Sequence, residues 1–193
     1  MTQSTVEVLI RAQRTPNPHA MKFITNQPLK RTGKVTYRSL EEANELPIVE
    51  DIFNLENIVQ VFLYQNTMTV THNGEWDNDD LKGFVEPIIK KRFSEHNPDF
   101  QTPEEIAAKN KLKERDHFSP ERREIEEILD RTIRPGLRAD GGDLEVTEYT
   151  HPELYITFEG ACGSCPSSLM GTLQAIQGIL QNEFHEEIQV IPE

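Results

Sequence analysis

Gly160-Ala161-Cys162-Gly163-Ser164-Cys165-Pro166 contains both cysteines of this 193-residue chain. The segment lies between an alternating apolar run, residues 153–159, and a run with helical periodicity, residues 167–181. Alternation predicts a strand and a period near 3.6 predicts a helix, so the two thiols are expected at a strand-to-helix corner. A C-x-x-C pair in that position suits a disulfide switch, half of a zinc site or half of an iron–sulfur site.

The predicted corner suits anionic sulfur. Pro166 is well placed as the first helical residue, which puts Cys165 near a helix N-terminus. Unpaired backbone N–H groups and the positive end of the helix dipole favour a thiolate there. Gly160 and Gly163 leave room for a bulky ligand and for backbone N–H groups that approach its sulfur atoms.

The three chemistries are not equally compatible with the rest of the chain. Disulfide exchange on a thioredoxin-like fold needs a sheet that continues past the motif, whereas only 28 residues follow Cys165. Structural zinc and common iron–sulfur clusters want four ligands. This chain offers two thiols, and the histidines nearest to them in sequence are His151 and His185. Disulfide exchange is therefore the weakest of the three.

Two copies of the chain that meet about a two-fold axis would supply four thiolates. The sequence hypothesis is a cluster that bridges two C-terminal domains, with Cys162 and Cys165 supplied by each. Each subunit would keep only half of the ligands on separation, which suits a protein that passes its cluster on. A zinc-bridged dimeric interaction module that uses the same cysteines is the alternative. It is disfavoured because a single-chain zinc site usually provides a second C-x-x-C or histidine pair.

Composition limits the other classes of function. An apolar fraction of 36% and a mean hydropathy of −0.60 predict two small domains with a polar connector. The net charge is −13, of which −10 falls in residues 119–193, and this argues against nucleic-acid binding. The N-terminus does not resemble a secretory signal, and no run approaches the ~20 apolar residues of a membrane span. A bacterial cytoplasmic protein is the expectation.

The first domain, residues 5–93, is predicted to be α+β. We expect strands at residues 6–10 and 21–24, a helical turn or two at residues 39–45, and a hairpin of residues 58–64 and 68–71. Asp77 can cap a following helix, with Asp80 three positions on. One buried stripe is expected on that helix: Leu81, Phe84, Val85, Ile88 and Ile89. Pro87 interrupts the stripe, which predicts a kink or a late helix start.

A polar, partly helical linker is predicted for residues 94–118, followed by a second domain at residues 119–193. Ser119-Pro120-Glu121 is a strong helix start, and Pro135-Gly136 and residues 140–143 are expected to end that helix. Strands at residues 144–149 and 154–158, a helix and a last strand at residues 187–191 then give the order α-β-β-α-β.

Several stretches of both domains resemble a known protein family. The run Ile133-Arg134-Pro135-Gly136-Leu137-Arg138-Ala139-Asp140-Gly141-Gly142-Asp143 and the cysteine segment resemble the C-terminal NifU (Nfu) domain. Thr15-Pro16-Asn17-Pro18, Met21-Lys22-Phe23, the hairpin and Trp76 resemble the domain that often precedes it. The segment just before the hairpin departs from that pattern, because it reads Glu56-Asn57-Ile58 where a Gly-Val is usual.

The resemblance implies a carrier or scaffold, not an enzyme, that binds a [4Fe–4S] cluster between two protomers through Cys162 and Cys165. A [2Fe–2S] cluster is the smaller alternative. The implied partners are a second copy of the chain, an upstream cluster-assembly machinery and the apo iron–sulfur proteins that receive the cluster. No membrane or nucleic-acid partner is expected.

Other motifs are interpreted as structural. Residues 140–143, Asp-Gly-Gly-Asp, lack the ligand spacing of a calcium loop, so a glycine-dependent turn beside the cysteines is favoured. Residues 15–18 are interpreted as a turn, with a partner-docking loop as the alternative, and Trp76 as a lid on the hairpin. We find no phosphate-binding loop, nucleophile elbow or acid–base constellation.

Overall fold

The structure of this chain is a computed structural model. It describes residues 7–43, 46–103, 105–106, 119–162 and 166–193. The chain divides into two compact units, residues 1–100 and 101–193. Each unit combines helices with a β-sheet, so the predicted α+β class with two small domains is confirmed.

The first unit is built on a five-stranded antiparallel sheet of order β1-β2-β5-β4-β3. Its strands are β1 (Ile10–Arg14), β2 (Ala20–Thr25), β3 (Lys30–Tyr37), β4 (Ile58–Gln65) and β5 (Thr67–His72). The predicted hairpin is confirmed as β4–β5, in which Leu63 pairs with Met68. Gln65 turns the chain with a positive φ of 50°.

Two helices pack on this sheet, α1 (Pro47–Phe53) and α2 (Asn78–Arg92). On α2 the buried residues recur every four positions, so one stripe faces the sheet: Leu81, Val85 and Ile89. These side chains and those of α1 meet Phe23, Leu63 and Val70 of the sheet in one apolar core.

Several predictions for this unit are wrong in detail. The first strand begins at Ile10, where the sequence predicted residues 6–10. The sequence missed β3 because its polar residues 30–34 form a bulged edge strand, and it also missed α1. At residues 39–45, Ala43 N–H donates to the Ser39 carbonyl as one turn, while residues 44 and 45 lie outside the described part.

The region around Pro87 also differs from expectation. Helix α2 begins at Asn78, with the Asp77 side chain accepting from Asp79 N–H, so a late start is wrong. Phe84 was predicted to be buried but is 55% exposed. It stacks edge-on against Trp76, whose Nε1–H donates to the Glu56 carbonyl at 2.7 Å.

Residues 94–100, assigned to the linker from sequence, are part of the first unit. Arg31 N–H donates to the Pro98 carbonyl at 2.8 Å, and Lys30 Nζ donates to the Phe100 carbonyl at 3.0 Å. Phe93 and Phe100 pack against the first core. Thr102 and Glu105 then cap a helical turn by exchanging backbone-to-side-chain hydrogen bonds, and residues 107–118 lie outside the described part.

From residue 119 onward, the described residues of the second unit form helices and a three-stranded sheet in the order α-α-β-β-α-β. The elements are α3 (Pro120–Thr132), α4 (Arg134–Ala139), β6 (Gly142–Thr150), β7 (Glu153–Gly160), α5 (Pro166–Glu183) and β8 (Gln189–Pro192). Ser119 caps α3 as predicted, by accepting from Arg122 N–H. Helix α4 was not predicted: among the described residues a short new helix begins at Arg134, with Pro135 in its first turn, where the sequence predicted only a helix end.

The sheet of this unit has the order β6-β7-β8. Strands β6 and β7 are antiparallel, whereas β8 runs parallel to β7, because α5 carries the chain back along the sheet. The core lies between the sheet and the longer helices and includes Ile125, Leu129, Leu154, Ile156, Ile176 and Leu180. Within the described residues, no helix is both long and apolar enough to span a membrane.

Candidate functional site

The cysteine segment lies at the end of β7, where the sheet register determines its neighbours. Gly142 is paired with Gly160, so the first residue of β6 lies beside the last residue of β7. Ala161 N–H then donates to the Gly141 carbonyl at 3.2 Å. As a result Cys162, which follows β7 by two residues, lies beside Gly142 at the start of β6.

Gly142 allows an unusually close approach to Cys162. A Cβ atom on residue 142 would lie 2.6 Å from Cys162 Sγ and 2.6 Å from the Glu159 carbonyl oxygen, far inside van der Waals contact. Gly141 (φ 84°) and Gly160 (φ 64°) both have the left-handed backbone conformation that glycine adopts most readily. The glycines of the Asp-Gly-Gly-Asp run thus form a turn that accommodates the cysteine, which supports the structural interpretation.

Asp143, the next residue, anchors that turn. Its side chain is 1% exposed and lies 3.1 Å from Arg138 Nε and 3.7 Å from Arg134 Nε. Its Oδ1 also accepts from Leu144 N–H at 2.8 Å. A buried carboxylate without such partners would be very costly, so the two arginines of α4 fix the start of β6.

Arg134 connects this anchor to α3. Its guanidinium donates to Glu126 Oε2 at 2.6 Å and to Asp130 Oδ1 at 3.0 Å. Burial lowers the pKa of Arg134, but the hydrogen bonds and charges of Glu126 and Asp130 outweigh burial and raise the pKa overall. The guanidinium is therefore permanently charged, and it joins α3, α4 and β6 behind the cysteine corner.

Of the two predicted cysteine ligands, Cys162 lies within the described residues and Cys165 does not. Cys162 is half-buried and packs beside the second core. Helix α5 begins at Pro166, as predicted. Gly163, Ser164 and Cys165 lie outside the described residues, and the ligand roles of Cys162 and Cys165 both stay predictions.

Among the described residues of the first unit, the loop of residues 15–18 and Trp76 both make contacts within the domain. Asn17 is 2% exposed; its carbonyl accepts from Ala20 N–H at 3.1 Å and its Oδ1 accepts from His19 N–H at 3.0 Å. The carbonyl of Pro18 accepts from Asn78 Nδ2 at 3.0 Å. The loop of residues 15–18 is thus a turn secured to the start of α2, and Trp76 packs against the first core.

Sequence reasoning missed the charged pairing behind the cysteine corner. Residues 133–143 were used as a family signature and as a helix end, without a role for their charges. The signal was available, because Arg134 and Arg138 are four residues apart on one helix face and Asp143 follows five residues after Arg138.

Both units match known protein families. Residues 10–96 match the family described as "Scaffold protein Nfu/NifU N terminal", and residues 125–191 match the "NifU-like domain". The chain belongs to the Nfu/NifU-like family, with an N-terminal Nfu domain followed by a C-terminal NifU domain.

Curated relatives cover most of the chain. "NFU1 iron-sulfur cluster scaffold homolog, mitochondrial" of Homo sapiens is 31% identical over 90% of this chain and 67% of its own length. "NifU-like protein 4, mitochondrial" of Arabidopsis thaliana is 29% identical over 93% of this chain and 64% of its own length. The chain thus spans about two thirds of each relative. Their names place these relatives in mitochondria, while a bacterial cytoplasmic location for this chain stays a prediction.

A solved structure also resembles part of the chain. The solution structure of a NifU-like protein from Saccharomyces cerevisiae is 16% identical and covers 51% of this chain and 88% of its own, with a TM-score of 0.46.

We predict that Gly142→Ala displaces the cysteine corner. The added methyl group meets the backbone oxygen of Glu159, which cannot rotate away, so overpacking should cost about 1–3 kcal/mol. Hydrogen exchange of peptides that span β6 and β7 measures this loss locally. Gly178→Ala in α5 is the matched control, because its methyl group meets no atom within 4 Å and should stabilise the helix by about 0.5–1 kcal/mol. Equal protection in the Gly142 variant and the unaltered chain would contradict the close approach.

We also predict that Asp143→Asn strongly destabilises the second unit. The change removes the buried carboxylate that pairs with Arg138, while Arg134 keeps Glu126 and Asp130, and breaking a buried ion pair costs about 3–5 kcal/mol. Asp140→Asn, at an exposed position of the same turn, should stay within about 0.5 kcal/mol of the unaltered chain. Chemical denaturation followed by circular dichroism distinguishes the two, and similar losses in both variants would show that the anchor is unimportant.

Proposed function

We propose that this chain is an iron–sulfur cluster carrier that holds a [4Fe–4S] cluster between two protomers and transfers it to apo-proteins. The observation that carries the proposal is the position of Cys162, which lies at the end of β7 against a residue that only glycine can occupy. The human relative is named as an iron–sulfur cluster scaffold homolog, and this supports a scaffold role for the chain.

The ligand count supports a shared cluster. Cys162 and Cys165 are the only cysteines of the chain, and a [4Fe–4S] cluster is ordinarily held by four thiolates. Two protomers related by a two-fold axis supply four in a closed, symmetric arrangement. Met170, 60% exposed on the first turns of α5, gives the same end of the domain an apolar side chain for contact with a second copy.

Charge favours release of the cluster. Residues 119–193 carry a formal charge of −10, so two such domains repel each other at short range. Screening over a Debye length of ~8 Å weakens this repulsion between distant groups but not between groups in contact. Bonds from the cluster to the thiolates must therefore hold the pair together. Once those bonds pass to another protein, the same repulsion separates the protomers.

Transfer in this scheme is ligand exchange. Thiolates of the recipient replace those of Cys162 and Cys165 one at a time, and no net oxidation or reduction is required. After the first exchanges each protomer retains too few ligands to recapture the cluster. The acidic surface favours recipients with basic surfaces, and an upstream assembly machinery loads the cluster. The chain itself performs no turnover chemistry.

A smaller cluster and a zinc ion are the competing occupants. A bridging [2Fe–2S] cluster would use the same four thiolates with half the iron per chain. A zinc-bridged dimer would also use them, as a structural contact with nothing to transfer. These occupants differ in iron and sulfide content and in colour.

Single cysteine substitutions test the proposal. Cys162→Ser and Cys165→Ser should each abolish stable cluster binding after anaerobic reconstitution, because each change removes two of the four ligands from the dimer. Visible absorption and iron content measure the loss. Ser164→Ala, between the two cysteines in sequence, should keep the full complement. Circular dichroism should show the same folded apo form in all three variants, and a single cysteine variant that still holds a full cluster would refute the shared-ligand scheme.

A further inference from the structure

Two histidines and a glutamate lie close together at the end of the second sheet opposite to the cysteine corner. His151 lies in the turn between β6 and β7, while His185 and Glu187 lie between α5 and β8. One donor atom from each of the three lies within 4.8 Å of the other two, and all three residues are exposed. Since β7 runs from Glu153 to Gly160, its full length separates this cluster from the cysteine segment.

The backbone beneath the cluster is well fixed. Parallel pairing of β8 with β7 places Gln189 beside Glu153, and Gln189 N–H donates to the Pro152 carbonyl at 2.8 Å. Ile188 is fully buried, and its N–H donates to the His185 carbonyl at 3.1 Å. The two loops are therefore held together by the fold, so the three side chains need little further ordering to bind an ion.

The side-chain geometry suits coordination. The imidazole rings of His151 and His185 have centroids 4.7 Å apart at an interplanar angle of 81°. His151 Nε2 lies 3.7 Å from Glu187 Oε2. His151 Nδ1 is 3.3 Å from the Tyr149 hydroxyl, which can accept the Nδ1 proton and leave the Nε2 lone pair directed towards Glu187.

We propose that His151, His185 and Glu187 form a second metal site, independent of the cysteines, for a divalent first-row transition ion such as Zn²⁺. Two imidazoles and a carboxylate match the ligand preference of these ions. Zinc bonds of ~2.0–2.2 Å set donors about 3.4 Å apart, so the present spacing needs only small rotations of exposed side chains. The long hydrogen bond from Glu187 N–H to His185 Nδ1, 3.3 Å, is the one interaction that coordination through that nitrogen would replace.

A metal at this site would join the turn after β6 to the segment that leads into β8. That strand has only four residues and lies at the edge of the sheet, so a second attachment should stabilise it. An ion that binds the folded form alone raises the unfolding temperature by mass action. The remaining coordination positions face solvent because all three ligands are exposed.

The test must separate zinc held by histidines from zinc held by cysteines. We would titrate ZnCl₂ into the full-length chain carrying Cys162→Ser and Cys165→Ser, with isothermal calorimetry in a non-chelating buffer. One Zn²⁺ per chain is expected. His151→Ala and His185→Ala in that background should each weaken binding about tenfold or more, comparable to the loss of supporting groups at known sites. Glu186→Gln, an exposed carboxylate one residue from the cluster, should bind zinc as the background chain does.

Substitution of Co²⁺ gives a second measurement. Visible d–d bands characteristic of mixed nitrogen and oxygen ligation should appear in the background chain and in Glu186→Gln, and should be lost in both histidine variants and weakened in Glu187→Gln. Circular dichroism verifies that each variant is folded, and Glu187→Gln keeps the backbone and side-chain size nearly unchanged. Absence of saturable zinc binding, or equal affinity in the histidine variants, overturns the second site. Neither result bears on the cluster proposal, because the titrated chain has no cysteine.

Discussion

The pairing of Gly142 with Gly160 is the constraint on which the cysteine corner depends. It brings two strands so close that residue 142 has no room for a Cβ atom beside Cys162. If either strand slipped by one residue in this register, its core side chains would move to the wrong face of the sheet, so the apolar core fixes the position of the thiol. Asp143 adds a second anchor, because its buried carboxylate holds the arginines of α4.

In this arrangement the stability of the second unit does not depend on the proposed binding of the cluster. The core of the second unit and the pairing of Asp143 with Arg134 and Arg138 hold the fold together without the cysteines. The proposed cluster then binds at the rim of a domain that is already folded, unlike a zinc finger, whose folding requires the metal. A carrier needs that separation, because it must remain folded after it has given up its cluster.

The sequence predicted the locally encoded features well. The hairpin, the capped start of α3 and the beginning of α5 at Pro166 follow from alternation, capping residues and proline placement. Edge strand β3 was not predicted because its first half, residues 30–34, is mostly polar and interrupted by a bulge, so it lacks the apolar alternation of a strand. The approach of His151 to His185, 34 residues apart in the sequence, exists only after the sheet forms, so no local pattern marks it.

Native mass spectrometry of the anaerobically reconstituted chain, combined with iron and sulfide analysis, tests the central claim most directly. The account predicts a dimer with about two iron and two sulfide ions per chain, which reverts to monomers when the cluster is removed. A chain that takes up no iron, or that holds a complete cluster as a monomer, would contradict a cluster shared between two copies of Cys162 and Cys165.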